Sequence, residues 1–156
     1  MLTLLLSLFG CDGAAEKTSS AEKIQVSYEP GLLPKLMSIP GKPISVKWQI
    51  DESKFNAGSL IALLEYSAED KLYILKNSHA YENISHDRIG AGFYDSWIPA
   101  SAKKGIEVIK HDSVYELKGV IPVLPNLFTR TELSPYVNGR VTPLAGGYIL
   151  VSLYSM

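Results

Sequence analysis

The chain has 156 residues, of which 46% are hydrophobic and 20% charged, proportions that exclude a disordered chain and suit one folded domain. Lys and Arg number 15 against 16 Asp and Glu, a formal charge of -1, so the basic excess that marks nucleic-acid binding is missing and no nucleic-acid partner is expected. One cysteine excludes an intramolecular disulfide and directs attention to where that cysteine stands.

From Leu2 to Phe9 only Thr3 and Ser7 interrupt an apolar run. The run is too short for a hydrocarbon core that needs about 20 residues, but it matches the apolar region of a secretory signal, about 7–15 residues long. It ends in Leu8-Phe9-Gly10-Cys11, which resembles the lipobox of bacterial lipoproteins: an aliphatic residue three before the cysteine and a small residue directly before it. The resemblance implies a signal peptide over residues 1–10 and cleavage before Cys11. It also implies a diacylglycerol on the Cys11 sulfur and an acylated, palmitate-type amino terminus. A protein so processed belongs to the bacterial cell envelope, held to a membrane by lipid, with its domain facing the periplasm or the exterior. Asp12 directly after the cysteine is associated in enterobacterial lipoproteins with retention in the inner membrane. Each buried CH₂ of an acyl chain contributes about 0.8 kcal/mol, so two or more chains together give stable anchoring.

The stretch DGAAEKTSSAEK from Asp12 to Lys23 carries no large apolar side chain and cannot bury enough surface to offset the entropy of ordering it. Residues 11–23 therefore read as the lipidated cysteine and a flexible tether, its end-to-end distance about 20 Å. A buried strand ending in a buried cysteine, the structural alternative for residues 2–11, would not lead naturally into such a spacer.

Residues 24–156 read as a single β-rich domain. Ile24-Gln25-Val26-Ser27-Tyr28 alternates apolar and polar residues as a half-buried strand does. Leu32 to Ile39 is apolar but broken by Pro34 and closed by Pro40-Gly41, which assigns it to an edge or irregular extended piece. Ile44, Val46, Trp48 and Ile50 alternate with polar residues, predicting a strand with Trp48 inward. Ser59 to Tyr66 is a nearly continuous apolar run of strand length. Ser67 followed by Glu69 and Asp70 reads as a capped helix start, with Ala68, Leu72 and Leu75 as the apolar stripe of a helix to about Ser78. The competing reading takes Leu72 to Leu75 as a strand.

Between Tyr81 and Gly105 no period is sustained and Gly90, Gly92, Pro99 and Gly105 punctuate the chain, predicting a long loop. Connections longer than about 12–15 residues are often functional. Strand character returns at Ile106 to Ile109, at Ser113 to Val123 and at Gly147 to Tyr154, with Leu127 to Leu133 a weaker extended candidate and Pro125, Pro135 and Pro143 marking turns. The expected fold is mainly β: an antiparallel β-sandwich or partly open barrel of six to eight short strands, with one short helix or none.

Reactive side chains gather around the long loop: His79, His86, Asp87, Arg88, Tyr94 and Asp95. His79 and His86 are seven apart, which is no zinc spacing, and the cysteine is committed to lipid, so no metal site is assigned. Ser85-His86-Asp87 contains the residue types of a hydrolase triad, but neighbours on an extended segment point to opposite faces. No nucleophile elbow, phosphate loop or His-Glu-x-x-His helix occurs, and Gly90-Ala91-Gly92 lacks the third glycine of a dinucleotide fingerprint. No catalytic residue and no cofactor is implied. Asn83-Ile84-Ser85 is formally a glycosylation triplet, which the lipobox resemblance, implying a bacterial source, sets aside. Phe93, Tyr94 and Trp97 fall within five positions and read either as pegs that pin the loop to the sheet or as a surface for a partner protein.

The expectation is thus a membrane-anchored, non-catalytic lipoprotein, a binding or assembly module for another envelope protein. The alternative is an inhibitor, exclusion or immunity-type lipoprotein that blocks an incoming protein. A metal-binding or hydrolytic lipoprotein using His79 and His86 is a third reading.

Overall fold

The computed structural model describes residues 26–51, 58–129 and 134–155. The signal over 1–10, Cys11 with its tether over 11–23, the start of the first expected strand and the end of the segment Leu127 to Leu133 lie outside the described residues.

In chain order the elements are α1 (Leu33–Leu36), β1 (Ser45–Asp51), β2 (Ser59–Glu65), α2 (Ala68–Asn77), β3 (Asp87–Gly90), α3 (Ala91–Trp97), α4 (Ala100–Lys103), β4 (Glu107–Lys110), β5 (Val114–Lys118), β6 (Tyr136–Pro143) and β7 (Tyr148–Ser155). The fold is mainly β, with two antiparallel sheets that do not close into a barrel: a four-stranded sheet ordered β1-β2-β7-β6 and a three-stranded one ordered β3-β5-β4.

The larger sheet is the middle layer, and its two faces are chemically different. In register, Trp48, Ala62, Val151 and Val141 form one row and Val46, Leu64 and Ile149 the next. This wholly apolar face is covered by Leu33 and Met37 from the α1 turn, Ile74 of α2, Tyr66 and Phe128. On the other face, Leu63 and Leu150 pack against Ile89 and Leu117 of the smaller sheet and against Tyr94, Trp97, Ile98 and Ala102. β2 and β7 are buried on both faces, which is why their sequences run apolar without alternation.

Several expectations are corrected by this packing. Leu32 to Ile39 is no edge piece: Pro34 sits in the first turn of α1, where its missing N–H costs nothing, and Leu33 and Met37 are fully buried. The helix after Ser67 is present, with the Ser67 hydroxyl accepting from the Asp70 amide at 3.0 Å. Its inward face is a different one, however. Ile74 is buried while Leu72 is 68% exposed, and Lys71 lies alongside, its ammonium donating to the Leu144 and Gly146 carbonyls. The long loop of 81–105 is instead β3 followed by α3 and α4, with Gly90 at the N-cap of α3 and Pro99 at that of α4. Ile44, expected inside, is 69% exposed beyond the start of β1. Among the described residues there are four helices, three of them seven residues or shorter, where one short helix or none was expected.

β6 was hidden by its own residues. Asn138-Gly139 and the flanking Pro135 and Pro143 imitate turns, yet β6 is an edge strand, where a terminal proline is tolerated. Gly139 sits at φ +146, and a Cβ there would lie 2.1 Å from the Ser152 carbonyl oxygen. Among the described residues no helix is long and apolar enough to cross a membrane.

Candidate functional site

The space between the two layers is packed with apolar side chains at one end and open at the other. Along the inward face of β6 and β7, Thr142 and Leu150 are paired beneath the smaller sheet, and one pair further on come Arg140 and Ser152, followed by Tyr154. There the covering layer is the irregular segment 81–86, which leaves a cleft of about 650 Å³. Tyr81, Ile84 and His86 line its upper side, Ser152 and Tyr154 its floor, and Arg140 its inner end. This volume lies within the usual range of about 300–1,000 Å³ for small-ligand sites.

Where the dry core gives way to the cleft stands Asp87, 2% exposed. One carboxylate oxygen lies 3.2 Å from Nη1 of Arg140 and accepts from the Arg88 amide at 2.7 Å, and the other accepts from the Thr142 hydroxyl. Arg140 Nη2 in turn donates to the Arg88 carbonyl at 2.6 Å. A buried carboxylate is tolerable only with partners of this kind. The same contacts occupy both main-chain groups of Arg88 on edge strand β3, which blunts that edge against pairing with another chain.

The wall of the cleft is equally fixed. The Tyr81 hydroxyl donates to the Gly139 carbonyl. Burial pushes the Tyr81 pKa up, the neighbouring Tyr154 adds to the rise, and Arg140 opposes it, so Tyr81 remains a neutral donor at physiological pH.

Ser85 and His86 were expected to point apart, but the chain turns at Asn83, with φ +64, and the Ser85 hydroxyl lies 2.8 Å from Nδ1 of His86. The far side of that ring meets Glu116 of β5, Nε2 to Oε2 at 3.3 Å. Arg88 and His111 approach the same oxygen at 3.6 and 3.9 Å. Chemically this is a hydroxyl, an imidazole and a carboxylate in series at the cleft's mouth.

The cluster assembled from sequence therefore divides. His86, Asp87 and Arg88 line the cleft. His79 is elsewhere, its amide donating to the Asn126 side chain at 3.1 Å, and Asp95 accepts from the Tyr115 hydroxyl at 2.9 Å. Among the described residues no group of three or more His, Cys, Asp or Glu is arranged to hold a metal ion. Arg140, Thr142, Glu116 and Tyr154 were missed. Arg140 and Thr142 lie on the unread strand β6, and a period-two reading of that segment would have put both on one face.

Phe93, Tyr94 and Trp97, read from sequence either as pegs or as a partner surface, pack toward the second core. Tyr94 and Trp97 are 5% and 8% exposed, and Phe93 is half-buried with its ring stacked on Trp97 at 4.9 Å. Trp97 is held from two sides: its indole N–H donates to Gln49 Oε1 at 3.1 Å, and Lys47 lies over its ring and donates to its carbonyl at 2.8 Å. Helix α3 turns these rings onto the sheet, where Tyr94 and Trp97 are part of the second core and Phe93 packs against it.

Comparison of the chain with protein families, with curated proteins and with solved structures finds no match.

Proposed function

We propose that this chain is a lipid-anchored envelope lipoprotein whose domain is a non-catalytic binding module, and that the cleft between the sheets, rather than Phe93, Tyr94 and Trp97, is where it meets its partner. The observation that carries the reading is the cleft itself: about 650 Å³, floored by Tyr154 and Ser152 and closed by a guanidinium locked onto a buried carboxylate. A rigid cationic donor beside aromatic surface is a recognition arrangement. The lipid half of the proposal rests on Leu8-Phe9-Gly10-Cys11.

Two measurements test it. Mass spectrometry of the amino-terminal peptide should find acyl mass on Cys11, and Cys11→Ala should abolish it and release the protein from the membrane fraction. A photo-crosslinking residue at position 154 should capture one defined envelope protein, while the same residue at position 72, exposed on α2, should not. Equal capture at both positions would reject the cleft as the contact site.

The Ser85, His86 and Glu116 series supports a second reading, ester or amide hydrolysis with Ser85 as nucleophile. That reading expects turnover of a nitrophenyl ester that Ser85→Ala abolishes, and equal background rates for the two proteins would end it.

A further inference from the structure

Accepting the cleft as the contact site, we propose that it recognises a carboxylate group carried on an apolar body, the carboxylate seated on Arg140 and the body lying along Tyr154, Ile84 and Pro122. The first argument is the depth at which charges are placed. The two acids that pair with the cleft's arginines are covered, the Asp87 side chain 1% exposed and that of Glu116 16%, whereas the side chains of Arg140 and Arg88 are 43% and 64% exposed. A ligand entering the cleft therefore meets cations first, which disfavours a cationic ligand.

The second argument concerns the amount of charge. Arg88 and Arg140 are matched by Asp87 and Glu116, so a dianion such as phosphate would bring two charges against a site with no net positive charge. A carboxylate brings one, and a guanidinium presents paired N–H groups to it. Arg140 is suited to this because its contacts with Asp87 and with the Arg88 carbonyl use Nη1 and Nη2, and its five N–H groups allow further bonds from a side chain whose orientation is already set. Asp87 and Thr142 are positioning residues in this scheme: they fix the angle of the guanidinium and do not touch the ligand.

The third argument is the lining beyond Arg140. Tyr154 is 54% exposed and Ile84 40%, large apolar area left in water next to a cation, and Pro122 lines the same cleft. Such a surface suits an aromatic or branched aliphatic body, whether of a free small acid or of the last residue of a peptide chain. The shared chemistry is the free carboxylate.

The test is calorimetric titration of the full chain in detergent with 3-phenylpropionate, with its amide, with the tripeptide N-acetyl-Gly-Gly-Phe bearing a free or an amidated terminus, and with inorganic phosphate. The acids should bind at least about tenfold more tightly than their amides and than phosphate, a difference of about 1.4 kcal/mol. Tyr154→Ala and Arg140→Lys, the latter keeping a positive charge opposite Asp87, should each weaken the acids about tenfold while leaving the circular dichroism spectrum unchanged. A tripeptide acid that outcompetes phenylpropionate identifies a chain terminus as the source, and equal affinity identifies a small acid; either result supports the proposal. Acids and amides binding alike, phosphate binding as tightly as the acids, or no binding at all would overturn it. If no acid binds while position 154 still captures a partner, the carboxylate inference falls and the contact-site reading stands. If both fail, both fall.

Discussion

Tyr66 is 2% exposed in the first core, and among the described residues its hydroxyl has no hydrogen-bond partner. Leaving a buried hydroxyl unmade costs about 1–3 kcal/mol, so Tyr66→Phe is expected to raise stability or leave it unchanged in urea unfolding. A loss of more than about 1 kcal/mol would show that the hydroxyl has a bonded partner. The pH dependence has a definite sign. Burial, and then the charge of Asp70, push the Tyr66 pKa far above the ordinary 10.0, so the folded state holds this proton where the unfolded chain loses it. That contribution is complete below pH 10 and is lost as pH rises above it; the wild type should lose stability faster than Tyr66→Phe in that alkaline range. Arg140 and Arg88 give a second contrast. Removing Arg140 strands the buried Asp87 carboxylate, and because the guanidinium side chain is 43% exposed the expected cost is at the low end of the range for a broken buried pair, about 3 kcal/mol. Arg88, 64% exposed and 3.6 Å from Glu116, should cost at most about 1 kcal/mol when replaced by Ala. Equal losses in denaturant titrations would contradict the buried placement of Asp87.

Among the elements, β6 depends most on a single residue. A Cβ at Gly139 would come within 2.1 Å of the Ser152 carbonyl oxygen and 2.8 Å of Leu153 Cα, backbone atoms of the strand β6 pairs with, where no side chain can swing away. Gly139→Ala should therefore force β6 off β7 and destabilise the protein by about 3 kcal/mol or more, the upper part of the cost of overpacking. Gly105, with positive φ but no atom within 4 Å of the added Cβ, is the control; its Ala variant should lose about 1 kcal/mol from backbone strain alone. Thermal melts of the two variants check the difference. Elements whose pattern is local were legible in the sequence. Val46 and Trp48 alternate because one face of β1 is covered, and Ser67 caps α2 with a hydroxyl that the next turn requires. What could not be read was what tertiary packing imposes on ambiguous residues. Gly90 and Gly92 look like loop punctuation until α3 is seen lying on the sheet. Leu72 looks like a core residue until Ile74 and Lys71 take the inner face of α2. The cleft was legible only from one side, through His86, Asp87 and Arg88. Its other side comes from Arg140, Ser152 and Tyr154, and only pairing β6 with β7 and laying segment 81–86 over them brings the two sides together.

At the scale of the whole molecule, the two cores share their middle layer. Leu64 of β2 belongs to the first and its neighbour Leu63 to the second, and on β7 Ile149 and Leu150 divide in the same way. Neither core can lose its sheet without exposing the other, so unfolding is expected to be one cooperative event despite the two covering layers. The chain provides its own reporters, because it has two tryptophans. Trp48 lies in the first core and Trp97 in the second, each 8% exposed. Trp97→Phe leaves fluorescence that reads the first core alone, and Trp48→Phe leaves the second. Each substitution lowers overall stability, so the comparison belongs within a variant: the fluorescence midpoint against the far-ultraviolet circular dichroism midpoint in the same urea series. Coincident midpoints in both variants are the expected result. An early fluorescence transition confined to Trp97 would mean that the small sheet with α3 and α4 lifts away first. The cleft would then be a seam between separable layers, and the orientation that Asp87 gives Arg140 would be lost before the rest of the fold.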